Sequence, residues 1–311
     1  FFHAEDGIRD RSPSRGLGDV YKRQVCTDGN GDIVIGGFFD KYDGVSRNNI
    51  ARVIGQSGRN DLSFDPGNGA NDPVHTVNVY GGGKIFIGGS FDQFDGNGVT
   101  SVARLNADGS YDSLFNLPEQ SGISSWTVYS SHVTQDNKVF VGGKFHAVDE
   151  GSSPKGSFVR LNDHGAVDPI YSTEKLPIDA SVFAIAENSE GETLIVGDFP
   201  ETYVKTTENI ARINTETGHI DESFKIGVGA NAEVKALIKL SDGNLLAGGE
   251  FTRINGVARS GLAKLSLNGD VLEFASRVEG GAIYSVAEQS DGKIIILSLI
   301  HISEPTRRTP I

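Results

Sequence analysis

The residues that could carry chemistry are few and scattered along the 311-residue chain. Five of the seven histidines lie between residues 25 and 296, and none of them forms an H-E-x-x-H or H-x-H spacing or recurs at a fixed interval: His75, His132, His146, His164 and His219. The sequence has no G-x-S-x-G elbow, phosphate-binding loop or dinucleotide fingerprint. It therefore predicts no catalytic residues, no metal ligands and no cofactor.

One string resembles a calcium loop, Asp28-Gly29-Asn30-Gly31-Asp32, because oxygen donors stand at alternate positions. However, Ile33 stands where the sharp turn of such a loop needs glycine, and Phe39 stands where the closing glutamate belongs. An ordinary turn between two strands is the favoured interpretation. A calcium-stabilised adhesion module is the alternative.

A cation recurs at regular spacing, and an acid follows it after eight or nine residues in four of the five copies. A ring of such cations could hold an anionic ligand, whereas an Arg–Asp pair inside each copy would tie two strands together. We predict the structural pair, because a feature present in every copy usually belongs to the architecture. The cations are Arg52, Arg104, Arg160, Arg212 and Lys264, and the acids are Asp61, Asp112, Asp168 and Asp221.

The single tryptophan, Trp126, occupies a position that valine fills in other copies. It could stack on a sugar, but we favour an anchor that packs between structural units.

These residues sit on a repeat. An apolar run ending in Gly-Gly-x-Phe recurs, and the closing phenylalanines are separated by steps of 52, 54, 54 and 52 residues: Phe39, Phe91, Phe145, Phe199 and Phe251. After each run comes a short apolar segment whose third residue is a cation. An acid follows, with an aromatic residue three positions after it. A further apolar segment then precedes the next run. Ile294 opens a sixth run.

Each period thus holds four short β-like segments separated by Gly, Asn and Asp turns, which is typical of a propeller blade of roughly 40 to 55 residues. One blade alone cannot bury its two apolar faces. The sequence therefore predicts an all-β propeller of four-stranded blades, truncated, with at least parts of six blades. We expect the paired glycines to allow close backbone approach or a bulge near the crowded axis, and the phenylalanine to pack between blades.

The pattern D-G-K-I-x-x-G-G-x-F followed by I-A-R-L-N-x-D-G-x-x-D-x-x-F resembles the delta-60 repeat family of bacterial β-propellers, over residues 25–296. The fourth copy departs from it, and we expect Asp198 to replace the second glycine and Pro200–Tyr203 the usual turn. The resemblance implies a large secreted or surface-exposed bacterial protein, of a kind that mostly has no assigned activity.

Both ends differ from the repeats. Residues 1–24 and 297–311 resemble translated sequencing-adapter strings, and we expect both to be disordered artefacts flanking residues 25–296. The chain begins with Phe1 and contains no methionine, and the sixth run loses its glycines at Leu297 and Ser298. Both observations favour a truncated chain.

The composition of the chain argues against several classes of partner and of protein. A net charge of −13 and a pI near 5.0 disfavour nucleic acid and anionic membranes as partners. No apolar run approaches the roughly 20 residues of a membrane helix, so we expect no membrane insertion. The single cysteine, Cys26, excludes an intramolecular disulfide.

We therefore predict a non-catalytic module, extracellular or at the cell surface, that acts as a scaffold or binds an unknown protein or glycan. The alternative is a propeller-type hydrolase or lyase with its site on inter-blade loops, where only 150–155 and 200–207 are irregular.

Overall fold

The fold consists of strands and turns throughout the part of the chain that can be described. In the computed structural model these residues are 21–115, 127–134, 136–145, 157–168, 180–187, 191–199, 208–214, 218–221, 223–224, 227–274 and 281–298. One short 3-10 helix, η1 at Gly81–Gly83, interrupts the strands. No helix within these residues has the length and hydropathy to cross a bilayer. The all-β prediction is confirmed.

Six antiparallel sheets succeed one another along the chain and are named blades one to six. In blades one to five the second strand pairs with both the first and the third. The blades contain β1 (Tyr21–Thr27), β2 (Ile33–Phe38) and β5 (Ile50–Val53); β6 (Val74–Tyr80), β7 (Lys84–Gly89) and β10 (Val102–Leu105); β11 (Thr127–Val133), β12 (Val139–Lys144) and β13 (Phe158–Leu161); β14 (Ser181–Glu187), β15 (Thr193–Asp198) and β16 (Ile210–Ile213); β17 (Val234–Lys239), β18 (Leu245–Gly249) and β21 (Leu262–Leu265); and β22 (Ile283–Glu288) and β23 (Ile294–Ser298).

Three two-stranded hairpins stand between the second and third strands of blades one, two and five. They are β3 (Lys41–Tyr42) with β4 (Val45–Ser46), β8 (Gln93–Phe94) with β9 (Asn97–Gly98), and β19 (Arg253–Ile254) with β20 (Val257–Ala258). Their turns are Asp-Gly or Asn-Gly pairs; in the first, Asp43 and Gly44 both have positive φ, at 50° and 76°. This is the geometry that tight hairpins prefer, and it agrees with the Gly, Asn and Asp turns that the sequence predicts.

The fourth predicted strand of blades one to five is reduced to a single backbone bridge. In blade two, Leu105 bridges Tyr111, and the chain then turns at Asp112, whose Oδ1 accepts a hydrogen bond from the Leu114 amide at 3.1 Å. The turn directs the aromatic of the segment into the core, where Phe115 is buried. The pairing stops after one bridge because the acid–x–x–aromatic module turns instead of extending.

The middle strand of each blade is covered on both faces, which explains its continuous apolar sequence. In β7, Ile85, Phe86 and Ile87 are all buried although their side chains alternate between faces. Most hydrophobic clusters mix residues of successive blades; one of them joins Val34 and Ile50 of blade one to Val74 and Phe91 of blade two. The closing phenylalanines of blades two to five thus pack between blades, as predicted, whereas Phe39 packs within blade one.

The first strand of each blade contacts the first strands of the neighbouring blades, so these six strands line the axis of the propeller. The first glycine of each pair makes this approach feasible. A Cβ on Gly88 would lie 2.5 Å from Cγ1 of Val128 in the next blade, and one on Gly142 would lie equally close to Cγ1 of Val182. The second glycine has a different role: a Cβ on Gly89 would collide with the Pro73 carbonyl oxygen of its own blade.

Strand register corrects the prediction for blade four. Val182 pairs with Gly197, and Ala184 pairs with Val196. The equivalent pairs in blade three are Val128 with Gly143 and Ser130 with Gly142. Val196 therefore replaces the first glycine, and Asp198 occupies the variable position after the pair. The predicted turn at 200–203 lies outside the described residues.

The predicted boundaries at residues 24 and 296 fall inside strands. Residues 21–24 pair with β2, and the Gln24 side-chain oxygen accepts a hydrogen bond from the Val77 amide at 2.6 Å. Leu297 and Ser298 pair with β22. These six residues are therefore extended strand rather than disordered, because a partner strand is available to each. Residues 1–20 and 299–311 lie outside the described residues.

Candidate functional site

The repeated cations form the predicted Arg–Asp pairs, on the third strand of each blade. The Nε of Arg52 and of Arg104 lies 2.7 Å from a carboxylate oxygen of Asp61 and of Asp112, and the remaining pairs are Arg160–Asp168 and Arg212–Asp221. The third strands do not line the axis, so the alternative of a channel ring is wrong. In blade five Lys264 binds Asp242 instead.

The guanidinium groups of Arg52, Arg104 and Arg212 also reach the following blade. Arg52 Nη1 donates to the carbonyl of Ala107 at 2.7 Å, and Arg104 Nη1 donates to the carbonyl of Asp163 at 2.6 Å. Each group also lies over the aromatic of its own blade, 5.1 Å from the Phe64 centroid for Arg52. The hydrogen-bond donors, the charge and the planar face of these guanidinium groups all contact neighbouring protein groups. These cations join the blades together.

Three aspartates of these pairs, Asp61, Asp112 and Asp221, have a pKa below the usual value. Burial raises the pKa of Asp112, but hydrogen bonds from Lys84 and Arg104 lower it by more, so that the pKa lies below its usual value. Burial likewise opposes the lowering in Asp61 and Asp221, where hydrogen bonds from Ser63 and Ser223 join those from the arginines. All three carboxylates are therefore more acidic in the folded chain than in the unfolded one.

We expect the chain to lose stability steeply in acid. A carboxyl with a lowered folded pKa contributes stability above its unfolded pKa, about 3.9, and loses that contribution as pH falls through the folded pKa. The urea midpoint should stay level from pH 7 to pH 5 and then fall between pH 4 and pH 2. A midpoint that does not change between pH 5 and pH 2 would contradict the pairing.

The calcium-like string forms the predicted turn between β1 and β2. Asp28 Oδ1 accepts hydrogen bonds from the amides of Asn30 and Asp32, at 2.8 and 2.9 Å. Asp32 Oδ1 accepts a hydrogen bond from the Gly55 amide at 3.1 Å. Both carboxylates are thus engaged with backbone, and within the described residues no group of three or more His, Cys, Asp or Glu side chains could hold a metal ion.

The histidines are not brought together. His132 Nε2 contacts Glu187 Oε2 of the next blade at 2.8 Å, His75 Nε2 contacts Ser90 Oγ at 2.9 Å, and His164 stands beside Asp163 in an exposed turn. His219 is exposed. His146, Trp126 and the irregular stretches 150–155 and 200–207 lie outside the described residues.

The predicted alternative of a bulge near the axis is realised on the facing strand instead of at the paired glycines: a β-bulge stands near the start of every first strand. Register skips one residue at the same place in all six blades. Bulges redirect side chains and recur beside functional sites. The skipped residues are Arg23, His75, Tyr129, Phe183, Lys235 and Tyr284.

The last five of these residues define what we call the rim, and their side chains contact one another across successive blades. Ring centroids of His75 and Tyr129 are 5.8 Å apart, and those of Tyr129 and Phe183 are 5.4 Å apart. The Lys235 ammonium follows, 5.5 Å from the Phe183 centroid and 5.3 Å from that of Tyr284. Tyr284 is 42% exposed. The result is a continuous band of ring faces around one end of the axis.

The rim differs from the rest of the repeat in its variability. The closing phenylalanine is identical in five blades, whereas the bulge position carries imidazole, phenol, phenyl and ammonium groups. Four of these residues are the second letter of the modules V-H-T-V, V-F-A-I, V-K-A-L and I-Y-S-V, and Tyr129 follows Val128, which strand register places with the first letter of those modules. Their meeting at the axis depends on the place of the bulge in the first strand, which the sequence does not reveal.

Comparison with known proteins agrees with this architecture. The sequence matches the family described as "Domain of unknown function (DUF5122) beta-propeller" over residues 29–53, 83–115, 134–169 and 240–271. No curated protein sequence matches the chain.

Several solved structures are similar in fold. The WD40 beta propeller domain of Doa1 has a TM-score of 0.55 and 16% identity over 88% of this chain and 74% of that one. Virginiamycin B lyase from Staphylococcus aureus has a TM-score of 0.56 and 13% identity, over 90% of this chain and 78% of that one. The extracellular domain of the putative one component system BT4673 from B. thetaiotaomicron has a TM-score of 0.51 and 16% identity, over 91% of this chain and 38% of that one. At these identities the likeness concerns the fold alone: a β-propeller built from repeats.

Proposed function

We propose that this β-propeller repeat chain is a non-catalytic binding module of a secreted or cell-surface bacterial protein, and that the rim holds its ligand. A protein or a glycan is the ligand class we propose. Ligand sites on repeat scaffolds combine a constant frame with variable contact residues. One observation carries the proposal: side chains vary at a bulge position whose surrounding frame is repeated.

The frame itself is fully used in holding the blades together. Its arginines bind aspartates and backbone carbonyls, its glycines receive the next blade, and its phenylalanines are buried. The rim side chains instead keep partial exposure while presenting ring faces, which is the character of a ligand contact surface. A hydrolase or lyase would be recognised by chemical change in the ligand, so the test below includes that outcome.

Location and origin are parts of the same proposal. The extracellular domain of the BT4673 system shares this fold, which supports a surface or secreted role. We assign the repeats to the delta-60 type on the motifs given above. We also propose that residues 1–24 and 297–311 are translated adapter sequence; amplifying the genomic locus with primers inside residues 25–296 would show whether both ends are encoded there.

The binding role is tested by screening the full chain against arrayed bacterial glycans and surface proteins. We expect a ligand whose binding falls at least tenfold in a Tyr129→Ala/Phe183→Ala variant, because both ring faces are lost. A Leu62→Ala/Leu114→Ala variant should bind normally, since these leucines are 72% and 76% exposed and lie outside the rim. Mass spectrometry of the bound ligand should show no change.

Two results would oppose the proposal. Equal binding by both double variants would move the site away from the rim. A bound ligand that is cleaved or has gained a double bond would establish the enzyme alternative. Thermal midpoints of both variants control for loss of folding.

A further inference from the structure

Lys235 lies in an unusual set of contacts on the rim. Its ammonium lies between the rings of Phe183 and Tyr284, supplied by the preceding and following blades. It also contacts Glu233 Oε2 at 2.5 Å and Glu250 Oε1 at 3.3 Å, both from its own blade. The Lys235 side chain is 18% exposed. Three blades thus build one enclosure of two ring faces and two carboxylates around a cation.

The enclosure favours positive charge. Burial alone lowers the pKa of Lys235, but hydrogen bonds and attraction from Glu233 and Glu250 outweigh it, so that the pKa is raised. Ring faces attract ammonium groups through their quadrupole, most strongly when water is partly removed. The enclosure therefore stabilises an ammonium group, that of the chain's own lysine.

The charges in the enclosure are not balanced. Two carboxylates face one ammonium, and the contact with Glu250 is 0.8 Å longer than the contact with Glu233. Glu250 is 45% exposed and Tyr284 is 42% exposed, so both can be reached from solvent. A second cation beside Glu250 and the Tyr284 ring would balance the remaining negative charge, while Lys235 stays paired with Glu233.

We propose that this part of the rim, formed by Phe183, Lys235, Glu233, Glu250 and Tyr284, binds an organic ammonium group. Such a group comes either from a small quaternary amine or from a lysine side chain of a peptide. Lys235 stays in place with its contact to Glu233, and the ammonium group of the ligand contacts the Glu250 carboxylate and the face of the Tyr284 ring. This inference rests on the binding role proposed for the rim and names its ligand chemistry.

The probe is tetramethylammonium chloride, titrated into the full chain and followed by NMR shifts of the aromatic rings, with sodium chloride at equal ionic strength as reference. We expect saturable shifts with tetramethylammonium alone. Glu250→Gln should weaken binding at least tenfold, because the exposed counter-charge is removed. Lys235→Ala should strengthen it at least tenfold, because both carboxylates and both rings become free.

Lys239→Ala is the matched control, since Lys239 lies on the same strand and is exposed. Its affinity should equal that of the unmodified chain. If Lys235→Ala does not fold, Glu250→Gln alone decides the question. A trimethyllysine peptide and its unmodified form, titrated in parallel, distinguish a peptide source from a small amine.

Unsaturable shifts, or equal affinities for all variants, would overturn the inference. If the array ligand still needs Tyr129 and Phe183 while no ammonium probe binds, the ligand class is wrong and the rim remains a binding site. If neither kind of ligand depends on the rim, the proposed function fails as well.

Discussion

Replacing Gly89 with alanine is expected to lower the free energy of unfolding by about 3 kcal/mol, at the upper end of what overpacking usually costs. A Cβ at this position would collide with the Pro73 carbonyl oxygen and lie 2.9 Å from the Phe91 ring. The carbonyl belongs to the backbone entering a bulged strand, and the ring is fully buried. Neither can move without disturbing the contact between blades one and two.

Gly98→Ala is the control for this prediction. Gly98 lies in the same blade, has nothing within 4 Å of an added Cβ, and stands in the exposed hairpin strand β9. Its urea midpoint should match that of the unmodified chain, whereas Gly89→Ala should unfold at far lower urea. Similar midpoints for the two variants would show that the second glycine is not required for close approach.

Removing the carboxylate of Asp112 should have a comparable effect, also about 3 kcal/mol, since breaking a buried ion pair leaves an uncompensated charge. The Asp112 side chain is 5% exposed and accepts hydrogen bonds from Arg104 Nε and Lys84 Nζ, both at 2.7 Å. In Asp112→Ala, a buried guanidinium and an ammonium would face each other without a counter-charge. Urea unfolding at pH 7 measures the loss.

Asp136→Ala is the matched comparison, because Asp136 also binds a lysine, Lys138, but is 60% exposed. Exposed pairs contribute about 0 to 1 kcal/mol, so this variant should unfold close to the unmodified chain. Asp112→Asn should fall between the two, as an amide still accepts hydrogen bonds but carries no charge. Equal losses for Asp112→Ala and Asp136→Ala would show that burial of the pair does not matter.

Much of this fold is predictable from sequence, because its rules are local and repeated. The steps between Phe39, Phe91 and Phe145 give the blade length, and the Gly-Gly pairs mark where strands crowd together. The Arg–Asp spacing gives the right pairs in four blades. In blade five the pattern fails, since the next acid, Asp270, follows Lys264 after only six residues. Lys264 binds Asp242 instead, a turn residue that no spacing indicates.

Features that depend on register are not predictable in this way. Aligning blade four by its letters places Asp198 at the second glycine position, whereas strand pairing shows Gly197 at that position and Val196 at the first. The rim depends on register as well. Lys235 reads as one exposed lysine among many until the bulge and two neighbouring blades place ring faces on both sides of it.

The links from Arg52, Arg104 and Arg212 to the next blade end on backbone carbonyls, those of Ala107, Asp163 and Leu267. Every amino acid has a main-chain carbonyl oxygen. The hydrogen bond between two blades therefore does not depend on which side chain stands at the acceptor position of the following blade. Gene duplication or recombination can therefore add, remove or reorder copies without redesigning the junction. Each rearrangement would bring a new set of side chains to the axis on an unchanged frame.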